Sequence, residues 1–282
     1  MLKRADLDGD LASIAARLQR STVQVMSRGG HGSGLIASPD GSVVTNAHVA
    51  SGRSARVVLS DGRDLRGEVT SRAPDRDLAA LRLDATNLPA AEFRDARALR
   101  AGDVVIAVGN PLDLIGAIAT GIVHSADRRG RRVVADLQLL PGNSGGPLAD
   151  SSGRVVGVNA MVVDGLAIAI GSTVVTRFLS PAIKPHVGVA THAVSVPVMG
   201  QKRLGLLIMD VSERSPASRA GVLTGDVLIG VDGRLFQAPD DLQYELESST
   251  VGASVRFDVL RAGRVDGIEV TLGSALQGAT AA

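Results

Sequence analysis

The 282-residue chain carries 30 Lys and Arg against 29 Asp and Glu, a formal net charge of +1 that offers nucleic acid or an anionic membrane no electrostatic hold. Its 45% hydrophobic content is ordinary for a soluble globular protein with room for two domains, while only 2% aromatics leave Val, Leu, Ile and Ala to fill the core. Cysteine is absent, which excludes disulfides and thiolate metal sites.

In chain order, the basic start at Lys3 and Arg4 runs into acids rather than an apolar signal core, and no later stretch approaches a membrane span. This predicts either a cytoplasmic protein or a form lacking its export segment. From Leu7 to Arg20 the residues Leu7, Leu11, Ile14, Ala15 and Leu18 recur at helical spacing, predicting an amphipathic helix over about 7–20. Short β-rich runs follow at Ser42–Thr45, Ala55–Leu59, Arg66–Thr70, Leu78–Leu83, Val104–Val108, Val133–Leu139, Val155–Val163 and Leu166–Ile170. Asp61-Gly62, Ser152-Gly153 and Asp164-Gly165 read as turns between such runs, so the pattern is that of a mainly β barrel architecture rather than β-α-β units. Ser172–Leu179 looks helical, and the two prolines of Ser180–Pro185 mark the most plausible domain boundary.

The chemistry gathers around Leu140-Pro141-Gly142-Asn143-Ser144-Gly145-Gly146-Pro147-Leu148. A serine hydroxyl needs a base beside it and donors aimed at the oxyanion that its attack creates. Glycine at 142 can turn its N–H toward the point faced by the N–H of Ser144, so the segment Gly142, Asn143 and Ser144 is a candidate oxyanion hole. His48, in Thr45-Asn46-Ala47-His48-Val49, is the candidate base. Asp77 is preferred over Asp75 as its orienter because it directly precedes the apolar Leu78-Ala79-Ala80-Leu81. The order His, Asp, Ser is that of the chymotrypsin-like triad.

Together with Gly32-Ser33-Gly34-Leu35-Ile36, these blocks resemble the trypsin-like serine proteases of the HtrA (Deg) type. The resemblance implies a chymotrypsin-like double β-barrel protease domain over 1–182, followed by an α+β PDZ domain over 186–275. In the second part Ser215-Pro216-Ala217-Ser218-Arg219-Ala220-Gly221 predicts a short helix capped by Ser215 and ended by Gly221, with Gly225-Asp226 leading into a buried strand. A later helix over about Pro239–Ser248 would wall a peptide groove. His186-Val187-Gly188-Val189 stands where relatives bind a peptide carboxylate, with histidine in place of the usual aromatic residue.

The specificity pocket is expected between the serine loop and the strand after Gly165, from Leu140, Leu166, Ala167 and Ile168. That strand holds no acid, which predicts a small or medium aliphatic P1 residue. The cluster Arg128, Arg129, Arg131 and Arg132 has no interleaved aromatics and reads as a solvated hairpin loop rather than a nucleic-acid patch. By resemblance, the stretch 126–132 is a regulatory loop relaying the PDZ state to the serine. The implied activity is ATP-independent endoproteolysis of unfolded or damaged proteins in quality control and stress response, with no metal or cofactor. Carboxyl-terminal peptides would bind the PDZ domain, and relatives assemble as homotrimers. The competing expectation is a proteolytically silent peptide-binding scaffold or holdase.

Overall fold

A computed structural model describes residues 4–274 except 29, 112, 113, 128, 181–184 and 199. The chain divides into two units, Met1–Ser180 and Pro181–Ala282. In the first unit α1 (Arg4–Ser21) leads into β1 (Thr22–Ser27), β2 (Gly30–Ile36), β3 (Ser42–Thr45), β4 (Ser54–Val58), β5 (Asp64–Ala73) and β6 (Leu78–Leu83). These strands close into a barrel in the order β1-β2-β3-β6-β5-β4. A second closed barrel, β10-β11-β12-β9-β8-β7, is built from β7 (Val104–Gly109), β8 (Ala117–Ala126), β9 (Arg132–Asp136), β10 (Pro147–Asp150), β11 (Val155–Val163) and β12 (Leu166–Gly171). Helix α2 (Ser172–Leu179) follows at the length expected from the sequence.

Two-residue periodicity explains why the strands read as nearly continuous apolar runs: alternate side chains enter different cores. On β7, Val105 and Ala107 fill the second barrel, whereas Ile106 and Val108 join a separate cluster with Leu35, Val44, Leu78 and Val158. Ile14 and Leu18 of α1 and Val175 and Phe178 of α2 close that cluster. Small residues do the packing that aromatics would do elsewhere, with Ala107, Ala135, Ala167 and Ala169 all inside the second barrel.

The turns form for local reasons. Asp164 and Gly165 have φ of 50° and 82° and join Val163 to its partner Leu166, the two positive values that a tight I′ hairpin requires. Strand β9 ends at Asp136, short of the expected Leu139, because its ladder partner β12 begins opposite that position, with Ala135 paired to Ala167.

The second unit contains β13 (Pro185–His186), β14 (Val189–Val198), β15 (Gln201–Val211), α3 (Pro216–Ala220), β16 (Val227–Val231), β17 (Arg234–Leu235), α4 (Asp241–Glu247), β18 (Ser254–Arg261), β19 (Arg264–Thr271) and β20 (Gly273–Ser274). Its main sheet runs β14-β15-β16-β18-β19 around Leu206, Ile208, Leu228, Phe257 and Val259. Ser215 caps α3 by accepting the Ser218 N–H at 3.1 Å, Pro216 takes the first helical position, and Gly221 ends the helix at φ 82°.

Asp226, 3% exposed, accepts Nε and Nη2 of Arg261 at 2.7 Å each and the Leu223 N–H at 2.8 Å. Burial pushes this carboxyl up, but the hydrogen bonds from Arg261 and Leu223 outweigh it and hold it below the ordinary carboxylate value. A folded-state value below the unfolded one means that the pair stabilises the fold above the ordinary carboxylate range and ceases to do so as pH falls through the folded value. Arg261→Ala, which strands a buried carboxylate, is expected to cost about 3–5 kcal/mol, read from denaturant unfolding of the full chain near neutral pH. The deficit should shrink on acidification.

Candidate active site

The first barrel carries two of the three candidate catalytic residues on adjacent strand ends. Strand β3 stops at Thr45, paired with Ala79, and a turn in which the Asn46 carbonyl accepts the N–H groups of Val49 and Ala50 swings His48 outward. Asn46 is fully buried, and its Nδ2–H donates to the Asp77 carbonyl at 2.9 Å, tying the histidine turn to the start of β6. Asp77 follows a 3₁₀ turn at Pro74–Arg76 and sits in the left-handed region at φ 52°, a conformation that Asp tolerates better than most residues. Its carboxylate lies 2.8 and 2.9 Å from His48 Nδ1 and also accepts the His48 N–H at 3.0 Å. Because Nδ1–H must donate to a carboxylate, the neutral ring presents Nε2 as its acceptor. Asp75 is at the surface, with Arg76 as its neighbour, and takes no part.

Ser144 comes from the loop between β9 and β10 of the second barrel. Asn143 N–H donates to the Leu140 carbonyl at 3.0 Å around Pro141 and Gly142, with Gly142 at φ 104°, the residue pair that a type II turn favours. A Cβ at Gly142 would stand 2.6 Å from the Asn110 carbonyl oxygen, and one at Gly145 only 2.0 Å from that of Ser33. The rest of the loop is pinned by Gly145 N–H to Asn159 O, Asn159 N–H to Gly146 O, and Ser33 N–H to Ser144 O, at 2.8, 2.9 and 2.8 Å.

This arrangement separates the three expected oxyanion residues. The Asn143 N–H is spent on the turn, whereas among the described residues the amides of Gly142 and Ser144 donate to no acceptor. Asn143 therefore shapes the loop rather than supplying a donor. The Ser144 hydroxyl donates to the Ala160 carbonyl at 3.1 Å and not to His48.

Of the residues expected to line the specificity pocket, Leu140 is 40% exposed, and Leu166 and Ile168 are half-buried. Ala167 points the other way, into the second barrel core, because neighbours on a strand face opposite sides, so its side chain does not join a pocket with Leu166 and Ile168. Strand β11 pairs with β10 only as far as Val158, and beyond it Met161, Val162 and Val163 are all exposed. Ala160 and this edge, free among the described residues, carry no signal in the sequence beyond three successive apolar residues before Asp164-Gly165.

In the arginine loop, Arg128 lies outside the described residues. Asp127 holds Arg129 and Arg131, accepting the Arg129 N–H at 3.0 Å and Arg131 Nε at 2.8 Å. Burial raises the Asp127 carboxyl, but these donors outweigh it and keep it below its ordinary value. Within the second unit, His186 is exposed and pairs with Gly273, Val187 is buried, Gly188 has φ 76°, and Val189 opens β14. That strand pairs only with β15 among the described residues, leaving an edge free. No described helix is long and apolar enough to cross a membrane.

Two closed barrels, with a His–Asp pair on one and a serine flanked by glycines on the other, are the architecture of a trypsin-like peptidase domain. Family models agree: a trypsin-like peptidase domain matches residues 32–158 and a PDZ domain matches 185–272. Over 265 residues the chain is 34% identical to a protein of Halomonas elongata named probable periplasmic serine endoprotease DegP-like, covering 86% of this chain and 56% of that protein. A protein of the same name from Brucella suis is 34% identical over 269 residues, with 86% and 52% covered. Solved structures of the serine endoprotease from Yersinia pestis and of the HtrA-type protease AlgW with a tripeptide superpose with TM-scores of 0.68 and 0.71, each at 26% identity, over 93% of this chain and 97% and 96% of theirs. The chain belongs to the HtrA/Deg-type trypsin-like serine proteases with a carboxyl-terminal PDZ domain. It spans just over half the length of these two curated relatives.

Proposed function

We propose that this chain is an ATP-independent serine endopeptidase that cleaves unfolded or damaged polypeptides through an acyl-enzyme on Ser144, tuned by peptides bound at its PDZ domain. The observation that carries the reading is the Asp77 carboxylate on His48 Nδ1, which leaves Nε2 to accept a proton, together with two amides without an acceptor beside Ser144. Ser144 Oγ attacks the substrate carbonyl carbon while its proton passes to His48 Nε2. The oxyanion is received by the N–H groups of Gly142 and Ser144, each such donor being worth about 2.7–4 kcal/mol in the transition state. Collapse breaks the C–N bond, His48 returns the proton to the leaving amine, and water attacks the ester by the same route.

The bond from Ser144 to Ala160 fits a resting arrangement that substrate relieves. A substrate strand added to the free edge of β11 presents an N–H to the Ala160 carbonyl, and the displaced hydroxyl turns to His48. Leu140, Leu166 and Ile168 offer apolar surface without an acid, so an aliphatic P1 residue is expected to be cleaved best in a library of peptide amides. A library led by Lys or Arg at P1 would overturn that preference.

The test of the whole reading is to incubate the purified chain with unfolded casein and with a fluorophosphonate probe, with and without carboxyl-terminal peptides. Casein cleavage and a covalent label mapped by mass spectrometry to Ser144 are the expected results. Neither cleavage nor label under any condition rejects the protease in favour of a peptide-binding scaffold.

A further inference from the structure

The Gly32-Ser33-Gly34 block has no part in the triad, yet Ser33 is fully buried directly beneath the serine loop. Its hydroxyl donates to the Gly142 carbonyl at 2.7 Å and accepts both the Asn110 N–H at 2.9 Å and Asn110 Nδ2–H at 3.3 Å. A serine hydroxyl has one proton and two lone pairs, so this one is fully used. With two donors aimed at Oγ, its own proton is left a single direction, toward Gly142. Asn110 is held in turn, since Nδ2–H donates to Val23 O at 3.0 Å and Oδ1 accepts the Gly116 N–H at 2.9 Å. The Ser33 main chain adds a second grip by donating its N–H to the Ser144 carbonyl at 2.8 Å.

We propose that Ser33 is a positioning residue for the oxyanion hole: its hydroxyl, aimed by Asn110, fixes the Gly142–Asn143 peptide, which lies between the two peptides that carry the Gly142 and Ser144 N–H groups, and so keeps both amides turned toward the reacting carbonyl. The need for such a hold follows from glycine itself. Residue 142 has φ 104°, and glycine enters and leaves that region at little steric cost, so the bond that closes the turn, from the Asn143 N–H to the Leu140 carbonyl, does not by itself fix the peptide between Pro141 and Gly142. If the Pro141–Gly142 peptide turned over, its carbonyl oxygen would replace the Gly142 N–H and meet the developing oxyanion with like charge, in a site where each donor decides orders of magnitude in rate. Ser33 grips the carbonyls of both 142 and 144, on either side of the peptide that carries the Ser144 N–H.

The inference rests on the proposed role of Gly142 and Ser144, and its test separates the two. In the full chain, with a peptide amide carrying an aliphatic P1 residue, Ser33→Ala is expected to lower kcat roughly 10- to 100-fold, less than outright loss of a donor. KM should stay within about threefold, because ground-state contacts are untouched. Affinity for the matching peptide aldehyde, which forms a tetrahedral adduct on Ser144, should weaken by the same factor as kcat/KM, while affinity for the cleaved peptide acid stays constant. Ser33→Cys keeps the volume with a weaker donor and should show the same pattern at smaller size; if Ser33→Ala does not fold, this variant carries the comparison. Unchanged kcat, or an equal loss for the aldehyde and the cleaved peptide, overturns the positioning role while the protease reading stands. A wild-type chain that neither hydrolyses nor labels overturns both.

Discussion

Ser144→Ala is expected to lower peptide hydrolysis by about a million-fold while leaving the fold intact. The two effects separate because the Ser144 hydroxyl makes one bond, to the Ala160 carbonyl, and sits half-buried at the mouth of the site. Losing one such neutral hydrogen bond costs on the order of 1 kcal/mol, and the strand just beyond the buried Ala160 is exposed from Met161 to Val163. The loop keeps its shape without the hydroxyl, since its anchors are main-chain bonds from Gly145, Asn159 and Ser33. Steady-state hydrolysis of a peptide amide, set beside the thermal unfolding midpoint, checks both halves. Hydrolysis that survives within tenfold of wild type, with an unchanged midpoint, would assign the nucleophile to another group. Peptide affinity at the second unit should not change in this variant, which distinguishes loss of chemistry from loss of binding.

The parts of the molecule that could be read from its sequence are those fixed by neighbours in the chain. Asp164-Gly165 makes a hairpin because both positions need positive φ, and Ser215, Pro216 and Gly221 bound α3 because cap chemistry is local. The pairing of His48 with Asp77 was legible because each stands in a block whose order is informative, and the structure brings the two within 2.8 Å. What the sequence hid is set by long-range contact. Ser33 meets Gly142 across 109 positions and Asn110 meets Ser33 across 77, with no local pattern to announce either pair. Ala167 is the opposite case: strand alternation already places it across the sheet from Leu166 and Ile168, and taking three consecutive residues as one pocket wall ignores that period. Asn143 fails as an oxyanion donor for a related reason, because a turn closed at 140–143 must use its N–H.

Asp77→Asn is expected to reduce kcat about 10⁴-fold without disturbing the geometry around it. The carboxylate accepts from His48 Nδ1 and from the His48 N–H, and an amide oxygen in its place can still accept one of these bonds. If the amide turns its NH₂ toward the ring, Nδ1 must become the acceptor and Nε2 carries the proton, so the histidine can no longer take one from Ser144. The asparagine also removes the charge that steadies the imidazolium formed during attack. Its conformation is no obstacle, because residue 77 is at φ 52° and Asn enters the left-handed region as readily as Asp. The Asn46 contact survives as well, since it reaches the main-chain carbonyl of residue 77 rather than the carboxylate. The measurement is kcat as a function of pH, with thermal unfolding as the control for folding. Near-neutral activity should fall by the stated factor and recover in part at alkaline pH, where hydroxide and a deprotonated nucleophile substitute for the lost base. A loss below about tenfold at neutral pH would mean that Asp77 does not set the tautomer, and that His48 is oriented by its main-chain turn alone.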